Sequence, residues 1–221
     1  MSPAEAAYRS AAEALFNLSP TQDCFNPYAD RNPEVDLPNA VERRRSNLRA
    51  YLEACRPRPR LFLLAEAPGP WGCRFSGVPI TSEAQLLDPG FPFGGEQSGS
   101  GEPHGEYSAN IFWGLLKDVF PDFVVWNACP LHPHRPDRPF TIRAPRRAEL
   151  RRFQPLVRAM VSAFQPGAVL AVGRKAEWTL SEAGIPARYV RHPSQGGANA
   201  FRAGVKEALE ARYHLTGQGN G

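Results

Sequence analysis

The stretch Leu61-Phe-Leu-Leu-Ala-Glu-Ala-Pro-Gly-Pro-Trp-Gly72 decides the fold of this chain. Leu61 to Leu64 form a continuous apolar run, the pattern of a parallel strand buried on both faces. The run ends in a Pro/Gly turn that carries one polar side chain, Glu66. Two other segments repeat this design. Phe123-Val-Val-Trp126 delivers Asn127 ahead of Ala-Cys-Pro-Leu131, and Tyr189-Val-Arg-His-Pro-Ser-Gln-Gly-Gly197 delivers His192. In an open α/β sheet, ligands bind in the crevice beyond the carboxyl ends of the strands. Three strands releasing Glu66, Asn127 and His192 at that edge outline an active site.

Outward from these segments, hydrophobic periodicity predicts helices over residues 2–16, 39–55, 110–119, 145–164, 175–183 and 199–213. Ala168–Val172 and Arg188–Arg191 complete a set of four strands. Residues 17–38, 88–105 and 128–144 are rich in Pro, Gly, Asn, Asp or Arg and read as loops. Strands alternating with helices imply βαβ crossovers and a mostly parallel sheet. The length of 221 residues suits one domain, with residues 1–40 as an N-terminal extension and the core at 61–215.

Composition narrows the function classes. No apolar run approaches the roughly 20 residues that span a bilayer, so no membrane partner is expected. The start, Met-Ser-Pro-Ala-Glu-Ala-Ala-Tyr, lacks a basic region followed by an apolar one, so no signal peptide is expected. Cys24, Cys55, Cys73 and Cys129 form no Cys-x-x-Cys pair and read as reduced thiols of a cytoplasmic protein. Cys129, His132 and His134 have the residue types of metal ligands, but a Pro-rich loop with incidental histidines is the simpler reading. No metal and no cofactor are expected. The net charge is +4, and only three of the 26 basic residues are lysine. Arginine's planar fork suits phosphate, and the run from Arg135 to Arg152 lies beside the Asn127 strand end, where a nucleic-acid backbone would pass. A solvated face is the ordinary meaning of such a run.

The loop chemistry has a consistent sense. Glu66 is a carboxylate placed to orient or activate water, or else one bonded to local backbone. The amide of Asn127 can donate and accept along a pyrimidine edge, as uracil N3–H and O4 require. Gln195-Gly-Gly-Ala-Asn199 after His192 is a small-residue loop opening a helix, able to press into a nucleic-acid groove. Gly69, Gly72 and Gly77 do not give Gly-x-Gly-x-x-Gly, and the Pro-rich turn removes N–H donors, so dinucleotide binding is set aside.

Together these segments resemble the uracil-DNA glycosylase superfamily, nearest its single-strand-selective monofunctional branch. Pro68 to Pro79 is similar to the family's first motif, with its Pro-Gly start and Gly-Val-Pro end. Asn110-Ile-Phe-Trp-Gly114 is similar to an Arg-Phe-Trp-Gly helix, Asn127-Ala-Cys-Pro-Leu131 to Asn-x-Cys-Pro-Leu, Ala171 to Glu177 to a Val-Gly-Arg-x-Ala-Glu turn, and His192-Pro-Ser194 to the final motif. The resemblance implies a three-layer α/β/α fold around a mostly parallel four-stranded sheet. It implies a monomeric enzyme that flips a deaminated base from DNA and hydrolyses its N-glycosidic bond. Asn127 then reads the base edge, His192 stabilises the departing base beside O2, and Glu66 positions water. Ser194, Gln195, Gly196, Gly197 and Asn199, with Arg191, contact DNA, residues 195–200 serving as the wedge.

Two departures stand out. Ala67 occupies the position where the single-strand-selective branch has Asn, and Ile80 the position of a Phe that stacks on uracil; Phe75 is the alternative source of that ring. The four cysteines are too scattered for the iron–sulfur cluster of the thermophilic branches. Two rivals remain from the sequence: a non-catalytic binder of uracil-containing or single-stranded DNA on the same fold, and an unrelated α/β enzyme acting on nucleosides.

Overall fold

The computed structural model describes residues 1–19 and 21–211. In chain order the elements are α1 (Pro3–Leu15), β1 (Cys24–Phe25), α2 (Ala40–Ala54), β2 (Leu61–Ala65), α3 (Cys73–Ser76), α4 (Glu83–Leu86), α5 (Tyr107–Leu116), β3 (Phe123–Asn127), β4 (His132–Pro133), α6 (Arg147–Phe164), β5 (Ala168–Val172), α7 (Arg174–Glu182), β6 (Arg188–Val190) and α8 (Ala198–Glu210). A single 3-10 turn, Lys117–Val119, extends α5.

The main sheet has four strands, all parallel, in the order β3-β2-β5-β6. Every residue of β2 and β3 is buried, as their unbroken apolar runs require. The chain leaves β2 towards β3 on one side and later places β5 on the other. That reversal at β2 opens a crevice at the carboxyl edge of the sheet. Helices flank the sheet. Phe112 of α5 meets Phe123 of β3 and Phe201 of α8, at 5.7 and 6.0 Å between ring centres. The free edge of β3 is closed by α2: the Tyr51 hydroxyl accepts from Val125 N–H at 2.7 Å and lies 3.1 Å from its carbonyl. An edge strand sealed this way presents fewer open backbone groups to another chain.

The N-terminal residues are part of the packing. Ala7, Ala11 and Leu15 of α1 are fully buried, and α1 packs on α2 and α6. Residues 17–38, read as irregular, contribute a two-residue strand, β1, that pairs antiparallel with β4 from the Pro/Arg loop. Within the same segment Asp36 forms a fully buried ion-pair triad, 2.6 Å from Arg44 of α2 and 2.7 Å from Arg74 of α3. Burial favours the neutral acid, but the two guanidiniums prevail and hold Asp36 below the usual carboxylate range.

The loop at 88–105 is anchored more firmly than a surface loop. Buried Glu83 accepts from the N–H groups of Ser98 and Gly99 at 2.7 and 2.8 Å, and Leu37 donates to the Ser98 carbonyl at 2.8 Å. Pro145 lies just before the Arg146 N-cap of α6 rather than in its first turn. Arg191 falls beyond the end of β6, and the last two residues of the helix expected to end at Tyr213 lie outside the described residues.

Candidate active site

A cleft of about 660 Å³ opens at the carboxyl edge of the sheet. Glu66, Ala67, Ile80, Arg191, His192, Ser194 and Gln195 all line it, so residues far apart in sequence meet in one crevice. Ala65, at the end of β2, pairs across the sheet with Asn127. The pairing continues past the strand ends, with Ala128 and Cys129 donating to the carbonyls of Ala65 and Glu66 at 2.8 and 2.9 Å. This short ladder holds Glu66 and Asn127 in a fixed relation.

Glu66 leans on the start of α7. Its Oε1 accepts from Lys175 N–H at 3.2 Å, and Gly173, at φ 93°, leaves room for the carboxylate where a side chain would collide. A helix N-terminus offers unpaired N–H groups and a positive dipole end, both suited to a carboxylate. Oε2 has no hydrogen-bond partner among the described residues and can take a water.

Asn127 is 2% exposed and is not itself on the cleft wall; it lies beside Ala65, its partner across the sheet, which is. Its Nδ2 lies 3.7 Å from Cys73 Sγ, and its buried Oδ1 has no partner among the described residues. An orphaned buried acceptor costs about 1–3 kcal/mol, which asks for a donor from outside the chain.

His192 is partly buried, and its tautomer follows from its contacts. A backbone N–H can only donate, so Nδ1 accepts from Ser194 N–H at 3.2 Å, with the Ser194 hydroxyl at 2.7 Å. The proton of the neutral ring therefore sits on Nε2. Burial, aided by the Arg191 charge, lowers the ring's pKa to about 4, so the imidazole is neutral at physiological pH.

Ile80 lines the cleft at φ 46°, a left-handed conformation that is strained for a β-branched residue. The indole of Trp113 fixes it by donating to the Ile80 carbonyl at 3.0 Å. Phe75 does not reach the cleft. It is fully buried, with Arg74 4.0 Å from its ring centre and the His104 ring also at 4.0 Å. Of the two candidates, Ile80 is on the cleft wall and Phe75 is not.

The final loop turns sharply. Gln195 and Gly196 have φ of 51° and 75°, and Gly197 packs against the His192 carbonyl too closely for a side chain. Gly196 and Gly197 lie off the cleft wall at the loop's tip and base. Asn199 is exposed on α8 and accepts from Arg202 at 3.2 Å, away from the cleft.

The basic runs divide by partner. Arg56 and Arg60 pair with Asp122 at 3.5 and 2.5 Å near the start of β3, the far end of the sheet. Arg143 and Arg146 grip Asp23 and Glu149. Those guanidiniums fill the neighbourhood of Asp23, Cys24 and Glu149, the one group among the described residues whose donor atoms lie close enough to hold a cation. Both ring nitrogens of His132 face carbonyls, of Pro68 at 2.8 Å and Pro139 at 3.0 Å, and Cys129 faces the Leu131 carbonyl. These residues staple the loops that frame the cleft. Glu106, which carried no signal in the sequence, also lines the cleft, with its carboxyl against Gly69 and Gly72.

No curated protein matches the chain. Among solved structures it is similar to wild-type SMUG2 of Pedobacter heparinus, with a TM-score of 0.65 at 14% identity, covering 99% of this chain and 100% of that one. That likeness concerns the fold. A profile of the Uracil DNA glycosylase superfamily matches residues 52–213, most of the chain and every strand of the main sheet. The chain belongs to the uracil-DNA glycosylase superfamily.

Proposed function

We propose that the protein is a monofunctional glycosylase that hydrolyses the N-glycosidic bond of uracil, or a related deaminated base, in DNA. The observation that carries this reading is the orphaned Oδ1 of Asn127, which sits across the sheet from Ala65 of the cleft wall. It supplies the acceptor that uracil N3–H needs, while Nδ2 can turn from the weakly accepting thiol to O4.

The steps follow from the chain's own groups. A base flipped into the cleft is read by Asn127 and packed by Ile80. The C1′–N1 bond breaks with its electron pair going to the base, leaving an oxocarbenium-like sugar. His192 donates Nε2–H to O2 and stabilises the leaving anion as a neutral donor, an electrostatic role. Glu66, held through Oε1, directs a water from Oε2 to C1′ and accepts its proton. Arg191 and Gln195 at the rim meet the DNA strand, and the Gly196 turn enters the space the base vacates. Monomeric action on DNA in the cytoplasm belongs to the same proposal.

A second reading, a binder of uracil-containing strands without turnover, is favoured by Ala67 and Ile80 standing where the family has Asn and Phe. Asn127→Ala tests the leading reading. It should lower excision from a uracil oligonucleotide at least tenfold while affinity for undamaged DNA holds, because base contacts specify and phosphate contacts position. Equal losses in both would overturn the assignment. Tight uracil-selective binding by the parent without any scission would favour the binder.

A further inference from the structure

Glu106 is a charged group of the cleft wall that the proposed chemistry does not use. It stands one residue before α5, and its carboxyl lies against the backbone of Gly69 and Gly72, where a methyl group on either glycine would collide with its oxygens. The loop has kept two side-chain-free positions around this one acid. Its carboxyl makes no hydrogen bond or ion pair among the described residues. The other charged groups on the cleft wall are occupied elsewhere or face away: Arg143 pairs with Glu149, Arg174 with Glu177, and Glu66 with the α7 backbone. Arg191 is exposed, and His192 is neutral. From α3 the facing group is the Cys73 thiol, whose pKa burial raises and the Glu106 charge raises further. Tyr107, next in the chain, is exposed.

Cys73 is also the group that Asn127 touches, at 3.7 Å. Asn127 thus contacts the thiol whose titration the Glu106 charge also influences, which puts Glu106 on the side of the cleft where the proposed reading places the base edge, while His192 serves O2 from another strand. Burial alone pushes the Glu106 pKa up to about 7. Near neutrality the carboxyl is thus shared between a form that donates and a form that only accepts.

We propose that Glu106 is a specificity-determining residue of the base pocket: its neutral carboxyl donates a hydrogen bond to the C4 carbonyl of the extruded base, and its carboxylate repels that oxygen. The proposal rests on the glycosylase reading for the identity of the base. Its consequence is discrimination that depends on pH. The C4 carbonyl separates uracil from cytosine, so a neutral Glu106 favours uracil, and an ionised one loses that preference.

The test compares the parent with Glu106→Gln, whose amide keeps a donor at every pH. Single-turnover excision from a uracil oligonucleotide is measured at pH 6 and pH 8.5. The neutral fraction of a group with pKa about 7 falls about thirtyfold across that span, so the parent rate should fall by about that factor. His192, with its pKa near 4, stays neutral throughout. The Gln variant should change less than threefold. The same pH ratio in parent and variant overturns the proposal. If Glu106→Gln does not fold, Glu106→Met, apolar and of similar length, should show a low rate at pH 6 and no further fall at pH 8.5; a parent-like fall overturns the proposal.

Binding separates this proposal from the catalytic reading. An oligonucleotide carrying 2′-deoxy-2′-fluorouridine keeps the uracil edge and resists cleavage. Its preference over the unmodified strand should fall from pH 6 to pH 8.5 for the parent and not for Glu106→Gln. That pattern without excision of natural uracil would sink the catalytic reading and leave Glu106 in its role. No difference between the two proteins in this preference overturns the role of Glu106 whether or not uracil is excised.

Discussion

Asp36→Asn removes one charge and almost no volume, and its effect follows from the buried triad. Asp36, Arg44 and Arg74 each have side chains with no exposure to solvent. With Asn at 36, two guanidiniums stay in the interior with no paired counter-charge, only the more distant one of buried Glu83 acting on Arg74. Removing one partner of a buried pair costs about 3–5 kcal/mol, because the remaining charge is desolvated and unpaired. The Arg44 bonds to Ser98 Oγ and the Asp30 carbonyl, at 2.9 and 3.0 Å, offset part of this and set the lower end of the range. For a domain of this size the melting temperature should fall by roughly 10 °C. The assay is urea unfolding at pH 7 with a thermal melt beside it. The sign with pH is also fixed. The folded pKa of Asp36 is depressed, so its stabilisation is present above the unfolded value of 3.8 and is lost as pH falls through the folded one. The variant should therefore lose less stability than the parent on acidification in that window. Excision should weaken too, since Arg74 anchors α3 and Gly77 packs on the Arg44 backbone below the loop that carries Ile80. A loss under about 1 kcal/mol would refute the reasoning, because it would mean that the Ser98 hydroxyl, the Asp30 carbonyl and the Glu83 charge suffice for both guanidiniums.

Three further outcomes are expected. An NMR titration of His192 should give a midpoint below pH 5; a midpoint near 6.5 would remove the neutral donor from the mechanism. The same depressed value means the fold loses stability as pH falls from about 6.5 through 4, since the unfolded state binds that proton first. Gly173→Ala places a methyl group on the Glu66 carboxylate at a φ of 93°, so excision should drop at least tenfold, as for Glu66→Gln; unchanged activity would show that water is held elsewhere. Glu106→Gln should raise the melting temperature at pH 8 and not at pH 4, because a folded pKa near 7 costs stability that grows as pH rises from 4.5 to 7.

The four main strands were legible because each is a short apolar run closed by Gly, Pro or a polar turn, and a parallel sheet buries both faces of such runs. Their order brought Glu66 and His192 into one cleft as the carboxyl-edge rule requires. The β1–β4 pair was not legible: two residues per strand give no period to read. Phe75 carries the aromatic chemistry that the proposed base site would call for, but only the fold reveals that Arg74 and His104 already cover its ring. Glu106 and the Asp36 triad left no local signal, since Glu106 meets Gly69 and Gly72, and Asp36 meets Arg74, across more than 30 residues of chain. In the sequence Gly69 and Gly72 say only that a dinucleotide fingerprint is lacking, and the fold shows that they make room for Glu106.

Single-turnover excision tests the central claim most directly. The purified protein and its His192→Ala variant are incubated with a uracil oligonucleotide, treated with alkali and resolved by size. The parent should produce strand scission at the uracil position, and the variant should be slower by about a hundredfold, the loss typical of removing one preorganised donor. Scission at the parent rate by His192→Ala, or no scission by the parent over a pH range from 5.5 to 8.5, would contradict the account.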